Sequence, residues 1–406
     1  MSEPFVVGGI GELVTNDASR DGGLLGLVED AAVVVDGASV AWAGPEPEIP
    51  SDWSGARRLD ADGRAVVPGF VDAHTHLVFA GDRSDEFTRR MAGEPYQRII
   101  REGGGILSTV TATRAATRDE LTALTGARMR RMLEAGTTAL EVKSGYGLDT
   151  ATESGQLRAA AEAAAGVPLD IRRTFLGAHT LPPEFREDRD GYVDLVVDEM
   201  LPACAPLADY CDVFVEDIAF SPEEAHRILT AAAGHGLGLR VHAEQLAHTG
   251  GARLAAELGA VSADHLDHAT GDDARALAEA GTVAVLVPGA SFQLRQPQAP
   301  GPMLWQQGVT VALATDCNPG TSYVESMPFV VALGVTQMGL TTEQAVWAAT
   351  RGGALALEMQ DRGWLGTGSR ADLVILDAPG YRHLAYRPAS RLTAAVIAGG
   401  LEMFPG

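Results

Sequence analysis

Val66-Val67-Pro68-Gly69-Phe70-Val71-Asp72-Ala73-His74-Thr75-His76 is the stretch whose reading decides the fold. An apolar run enters it, and two imidazoles leave it one residue apart. On a β-strand, side chains two apart share a face, so His74 and His76 project together. Two neutral imidazoles on one face at a strand end can grip a single metal ion. An isolated His-x-His is equally compatible with two hydrogen-bonded core histidines. What tips the reading is the recurrence of ligand-type residues at later strand ends.

Working outward, the middle of the chain alternates short apolar strands with helical patterns. Strands are expected at 70–76, 137–143, 171–176, 211–216, 238–242, 260–265, 283–287 and 310–316. Helices are expected over Asp119–Leu133, Glu153–Ala165, Pro222–Ala233, Gly251–Leu258 and Asp273–Ala280. Such repeated alternation argues for an α/β protein built on a (β/α)8 TIM barrel, with a doubly wound open sheet as the alternative. In a barrel the C-terminal strand ends carry the chemistry. Here they read His74 and His76, then Glu141 to Tyr146, then Leu176 to His179, then Glu216, then His242-Ala243-Glu244-Gln245, then Asp264-His265, and finally Asp316. Any one of these could be a hydrogen-bonded core or capping group. Polar residues closing at least six of eight strands instead converge on one mouth.

Three neutral histidines and one carboxylate leave a divalent metal with a position for water. His74, His76, His242 and Asp316 supply that set. His265 remains to hydrogen-bond the water or a developing oxyanion, and Asp316 can pass a proton to a leaving nitrogen. Dinuclear sites of this kind often bridge their ions with a carboxylated lysine on the fourth strand. Here that strand ends in Glu216, and the single lysine of the chain, Lys143, is on the second. One metal is favoured, with a glutamate bridge left open.

Both ends of the chain are β-rich. Residues 5–15 and 31–44 alternate, Asp36-Gly37 signals a hairpin, and Ala371 to Asp377 and Thr393 to Gly400 look similar. A small β-sandwich domain assembled from both termini, 1–65 plus 366–406, is expected beside a catalytic barrel of residues 66–365. At 406 residues the chain is long enough for one large and one small unit. A formal charge of −23 disfavours nucleic acid and anionic membrane as partners, and an anionic substrate must be met by local cations. Cys204, Cys211 and Cys317 lack metal spacing and read as reduced, packing thiols. With apolar runs far short of a span and no basic leader preceding an apolar one, the expected setting is cytoplasmic.

These segments resemble the imidazolonepropionase family of the amidohydrolase superfamily. The resemblance lies in Val67–Arg83, Arg101–Arg114, Glu141–Asp149 and Thr174–Phe185, and continues through Ala208–Phe220, Val241–Gln245, Ala314–Thr321 and Asp361–Asp377. Lys143-Ser144-Gly145-Tyr146-Gly147-Leu148-Asp149 and Thr315-Asp316-Cys317-Asn318-Pro319-Gly320-Thr321 are its most specific motifs. The resemblance implies ring opening of 4-imidazolone-5-propanoate to N-formimino-L-glutamate in histidine degradation. It implies one zinc or iron ion on His74, His76, His242 and Asp316, with His265 as the catalytic histidine. It further implies substrate contacts from Arg83, Tyr146, His179, Gln245, Asn318, Gly320 and Thr321, and a homodimer. Ala73 stands where the family often has cysteine, and Arg351-Gly352-Gly353 departs from its usual helix segment; neither touches a proposed ligand.

The nearest rival is a nucleobase or triazine deaminase. Those sites carry a glutamate three residues after the fifth-strand histidine, where this chain has Gln245, which cannot exchange protons, while Glu244 belongs to the opposite strand face. A cyclic amidase would want the bridging lysine that is missing. A non-catalytic metal-binding barrel would be expected to lose a ligand, and none is lost.

Overall fold

The structure, a computed structural model, describes residues 3–94, 98 and 102–403. Arg101, which opens one resembling segment, and the chain ends at 1–2 and 404–406 lie outside the described residues. Eight parallel strands follow one another in chain order around a barrel: Phe70–Asp72, Thr137–Lys143, Asp170–Ala178, Tyr210–Val215, Gly238–Ala243, Ser262–His265, Val283–Leu286 and Val311–Leu313. Each of the eight falls on an expected segment. The anticipated helices are present as Arg118–Glu134, Thr150–Ala164, Pro222–Gly234, Gly251–Glu257 and Gly271–Ala280.

The layers follow from strand alternation. On the second strand, Leu140 and Val142 pack outward against Met129, Met132 and Leu133 of the preceding helix. Glu141 and Lys143, on the other parity, are completely buried in a cluster of charged side chains. The seam between the first and last strands is closed by loop backbone: Asp316 N–H donates to the His74 carbonyl and His76 N–H to that of Cys317, both at 3.0 Å. Asp72 reinforces it by accepting the Thr315 N–H at 3.0 Å and the Thr315 hydroxyl at 2.6 Å.

A separate sheet is built from both ends of the chain. Phe5–Leu13, Val28–Asp36, Ser39–Pro45, Arg57–Asp60 and Ala65–Pro68 come from the N-terminal side. Leu373–Leu376, Thr393–Ala398 and Leu401–Met403 come from the C-terminal side. The Asp36-Gly37 turn joins its two strands as an antiparallel hairpin, with Gly37 at φ 59°. Ala65–Pro68 is the link between the halves, pairing parallel with Phe5–Leu13 and antiparallel with Leu373–Leu376.

Two expectations near the histidines are corrected. Val66 and Val67 do not lead continuously into the histidine strand; they belong to the terminal sheet, and Gly69 separates the two sheets. Its N–H goes to the Asp372 carbonyl, whereas that of Phe70 goes to Gly136. Nor does the first barrel strand run to residue 76. It ends at Asp72, because that carboxylate is spent on the seam and the next residues bond to loops on both sides. Thr75 keeps one bridge to Cys317, so the extended alternation that aims His74 and His76 together survives past the strand.

Candidate metal centre at the barrel mouth

His74, His76 and His242 meet at the barrel mouth. Their Nε2 atoms lie 3.2 Å apart between His74 and His76, and 3.3 Å apart between His76 and His242. Asp316 comes from the opposite side of the seam, with Oδ1 at 3.6 Å from His74 Nε2 and 3.5 Å from His76 Nε2. All four side chains are buried. Burial disfavours charge on the three imidazoles and holds each well below the ordinary histidine range. The same desolvation pushes the Asp316 carboxyl well above the usual carboxylate range. Neutral nitrogens aimed at one another with a carboxylate beside them are mutually unfavourable as neighbours alone. They suit a divalent cation shared among them.

Outer contacts set the imidazole tautomers. His74 Nδ1 lies 2.6 Å from Asp264 Oδ2. His242 Nδ1 lies 2.9 Å from Asp212 Oδ2, close but off-line for a hydrogen bond. At His74 the carboxylate favours the proton on Nδ1 and an Nε2 lone pair turned inward, and Asp212 stands in the corresponding place behind His242, the usual arrangement behind metal-binding histidines. Asp212 and Asp264 were not proposed as functional from the sequence. The available signal was a charged residue at inward parity in an apolar strand.

His265 stands beside the cluster, its ring 5.3 Å from that of His74 and 5.2 Å from that of His242. Burial lowers its pKa to about 4, so it is neutral, and its Nδ1 has no hydrogen-bond partner among the described residues. One ligand atom each of His74, His265 and Asp316 also falls within 4.8 Å. His179 stacks on His76 with centroids 5.0 Å apart and planes 16° off parallel. Its Nδ1 lies 3.0 Å from the Gly145 carbonyl, and burial lowers its pKa to about 4. A neutral His179 therefore donates through Nδ1 and offers Nε2 as an acceptor. Tyr146 lies against His179 and His76 at 5.3 and 6.0 Å, and burial raises its phenol, which stays protonated.

The remaining predicted residues divide. Arg83 is partly buried and presents its Nε–Nη2 edge to Glu86, at 3.0 and 2.6 Å, while Glu86 also accepts the Gly105 N–H. Its Nη1 lies over Gly320, where an added Cβ would come within 2.3 Å of it. Arg90, absent from the sequence reading, donates to the Gly320 carbonyl at 3.2 Å. Asn318 is spent on its own loop: Oδ1 accepts the Gly320 and Thr321 N–H groups, and Nδ2 donates to the Asp316 carbonyl and to Thr321 Oγ1. Gln245 is buried just past the fifth strand. Glu216 accepts the Leu246 N–H at 2.7 Å, so it secures the following loop. Glu244 turns away and accepts the N–H groups of Thr249, Gly250 and Ala252, which occupies it as a helix cap.

Comparison with known proteins shows the family. The amidohydrolase family profile matches residues 65–402. The chain is 51% identical to the imidazolonepropionase of Streptomyces coelicolor, over 99% of this chain and all of that one. It is 50% identical to that of Mycolicibacterium smegmatis, over 98% and 96% of the two chains. Among solved structures it resembles a zinc-bound variant of atrazine chlorohydrolase from Arthrobacter aurescens, with a TM-score of 0.75 at 18% identity, covering 98% of this chain and 94% of the other. It also resembles a zinc-bound adenosine deaminase from Xanthomonas campestris, with a TM-score of 0.72 at 20% identity, covering 98% and 92%. At these identities the two structures speak for the fold.

Proposed function

This chain belongs to the amidohydrolase family, among its imidazolonepropionases, and from that premise we propose how its barrel mouth works. The reaction is hydrolysis of a carbon–nitrogen bond in a cyclic amide, the ring opening of 4-imidazolone-5-propanoate to N-formimino-L-glutamate in histidine degradation. Water oxygen joins the ring carbonyl carbon, the bond from that carbon to ring nitrogen breaks, and the nitrogen takes a proton. The observation that carries the assignment of the centre is the convergence of three neutral Nε2 atoms and Asp316 Oδ1.

A divalent ion held by His74, His76, His242 and Asp316 would be zinc or iron, and when bound it would lower the pKa of water and polarise the carbonyl. Asp316 accepts the proton of the attacking water and delivers it to the leaving nitrogen. His265, neutral and beside the cluster, donates a hydrogen bond to the oxygen on which negative charge develops. His179 offers an acceptor nitrogen suited to a ring N–H, and Tyr146 offers a phenolic donor. Arg83 binds the propionate carboxylate as a charge-assisted partner, with Gln245, Asn318, Gly320 and Thr321 shaping the rest of the pocket. Gln245 and the capped Glu244 leave no glutamate shuttle where a deaminase has one.

No helix among the described residues is long and apolar enough to cross a membrane. We assign the protein to the cytoplasm as a homodimer without nucleic-acid partners; its charge of −23 supports the last point. We divide it into a terminal domain and a barrel domain at the expected 365/366 boundary, with the other boundary moved from 65/66 to Gly69 because Val66 and Val67 pair in the terminal sheet. The separate apolar cluster around Val7, Val33, Val66, Leu373 and Ile397 supports that division. The deciding experiment combines an ultraviolet assay of imidazolone loss with metal analysis. His242→Ala should abolish bound metal and turnover together, and full activity in that variant would sink the assignment.

A further inference from the structure

Beneath the three histidines lies a cluster that the mechanism does not use. Glu141, Lys143, Asp212, Arg240 and Asp264, on the second, fourth, fifth and sixth barrel strands, are all completely buried. Lys143 Nζ donates to Asp212 Oδ2 at 2.7 Å, to Glu141 Oε1 at 2.8 Å and to Asp264 Oδ2 at 3.4 Å. Those two aspartate oxygens are the ones behind His242 and His74. Arg240 is the second cation, contacting Glu141 at 3.1 Å and Asp264 at 3.5 Å. Among the described residues, Lys143 alone reaches both histidine-holding carboxylates.

We infer that Lys143 is the positioning residue of the metal centre, its ammonium clamping Asp212 and Asp264 against the outer nitrogens of His242 and His74. The inference rests on the metal-binding reading above. Three donors splayed from one compact nitrogen can serve three carboxylates arriving from different strands, which a planar guanidinium fork cannot do from the same volume. Every other side chain of fixed positive charge in this sequence is arginine, so the one lysine stands where an arginine would not fit the task. Without the clamp each aspartate could rotate off its imidazole, and the ring would lose its orientation and its Nδ1 proton partner.

A purely structural role, neutralising buried charge, makes a different forecast. The charge-balanced pair Lys143→Met with Glu141→Gln removes one charge of each sign and leaves Asp212, Asp264 and Arg240 in place. Zinc affinity of the wild-type and paired-variant apo-proteins would be read by competition with a chromophoric chelator, alongside circular dichroism and thermal unfolding. The clamp predicts a folded variant whose zinc affinity falls by about 10–100-fold, as for other residues that support metal ligands. Wild-type affinity in the folded variant overturns it. Should the variant not fold, the wild type itself decides. With 15N-lysine labelling the tag-free chain has one side-chain ammonium signal, which must shift as zinc is titrated in. An ammonium signal identical in apo and zinc-loaded protein overturns the inference. If wild-type protein binds neither zinc nor iron, the metal reading itself fails, which is a separate result.

Discussion

At the residue scale, Arg83 and His265 should give opposite kinetic signatures. Arg83 serves a carboxylate present in substrate and transition state alike. Its replacement by alanine should therefore raise KM more than it lowers kcat, at a cost of about 2–5 kcal/mol if the substrate charge stays buried. His265 acts where charge develops only during attack, so His265→Ala should lower kcat by about 10²–10³-fold with bound metal unchanged. Loss of metal from His265→Ala would make it a ligand, consistent with its closeness to His74 and Asp316, and would refute the four-ligand set. Asp267, two residues on, carries a pH signature. Burial raises its pKa from 3.8 to about 8, outweighing the hydrogen bonds from the Ser291 hydroxyl and the Ala299 backbone. Between those values the folded protein keeps a proton that the unfolded chain has lost. Its contribution to stability therefore falls as pH rises through that window and is level above it. Asp267→Asn should thus match wild type near pH 3 and exceed its melting temperature increasingly up to pH 8–9. A constant difference across that range would show that Asp267 does not titrate there.

At the element scale, the centre depends on how the chain leaves each strand. Glu244, His265 and Asp316 all sit in the left-handed region, at φ 54°, 77° and 50°. A non-glycine residue there is uncommon, and such conformations persist only when surrounding bonds enforce them. Here the Asp316 N–H is held by His74 and the Glu244 carboxylate by its helix cap. The other critical point is Gly69, between the terminal sheet and the barrel. A Cβ at this residue would lie 2.3 Å from the hydroxyl oxygen of Thr138, which is buried on the second strand. Gly69→Ala should cost about 1–3 kcal/mol through this overpacking. The loss should appear as a lower melting temperature, and paired substitution of Thr138 by glycine should relieve part of it. No relief would place the cost elsewhere. Thr117 makes a complete capping box with Glu120 on the helix Arg118–Glu134. Thr117→Ala should cost about 1 kcal/mol there without altering KM.

At the scale of the whole molecule, one strand joins the N-terminal and C-terminal parts of the terminal sheet. Ala65–Pro68 lies between Phe5–Leu13 on one side and Leu373–Leu376 on the other, and after Gly69 the chain passes into the first barrel strand and on to His74 and His76. Deleting the last thirty residues removes Thr393–Ala398 and Leu401–Met403 but leaves Leu373–Leu376, so the deletion should begin at residue 373 to take the pairing with Ala65–Pro68 as well. That truncated chain exposes an unpaired strand edge and an apolar face. Limited proteolysis should then cut the N-terminal strands faster than in the intact protein. Equal resistance would mean that the N-terminal strands stand alone.

The positions of the eight barrel strands, the terminal hairpin and the cluster of His74, His76, His242 and Asp316 were legible in the sequence. Strand alternation is a local property, and a barrel brings strand ends together by construction. The end of the first strand at Asp72 was not legible, because the Thr315 groups that hold that carboxylate lie 243 positions away. Nor was the occupation of Asn318 by its own loop, or of Glu244 by the next helix, because a side chain's partner depends on where the following turn places its backbone. The place of Lys143 was the least accessible. Its neighbours Asp212 and Asp264 come from two other strands. An ammonium beneath three carboxylates acquires its meaning only when closure of the barrel takes all of them out of water together, where unpaired charge is too costly to persist.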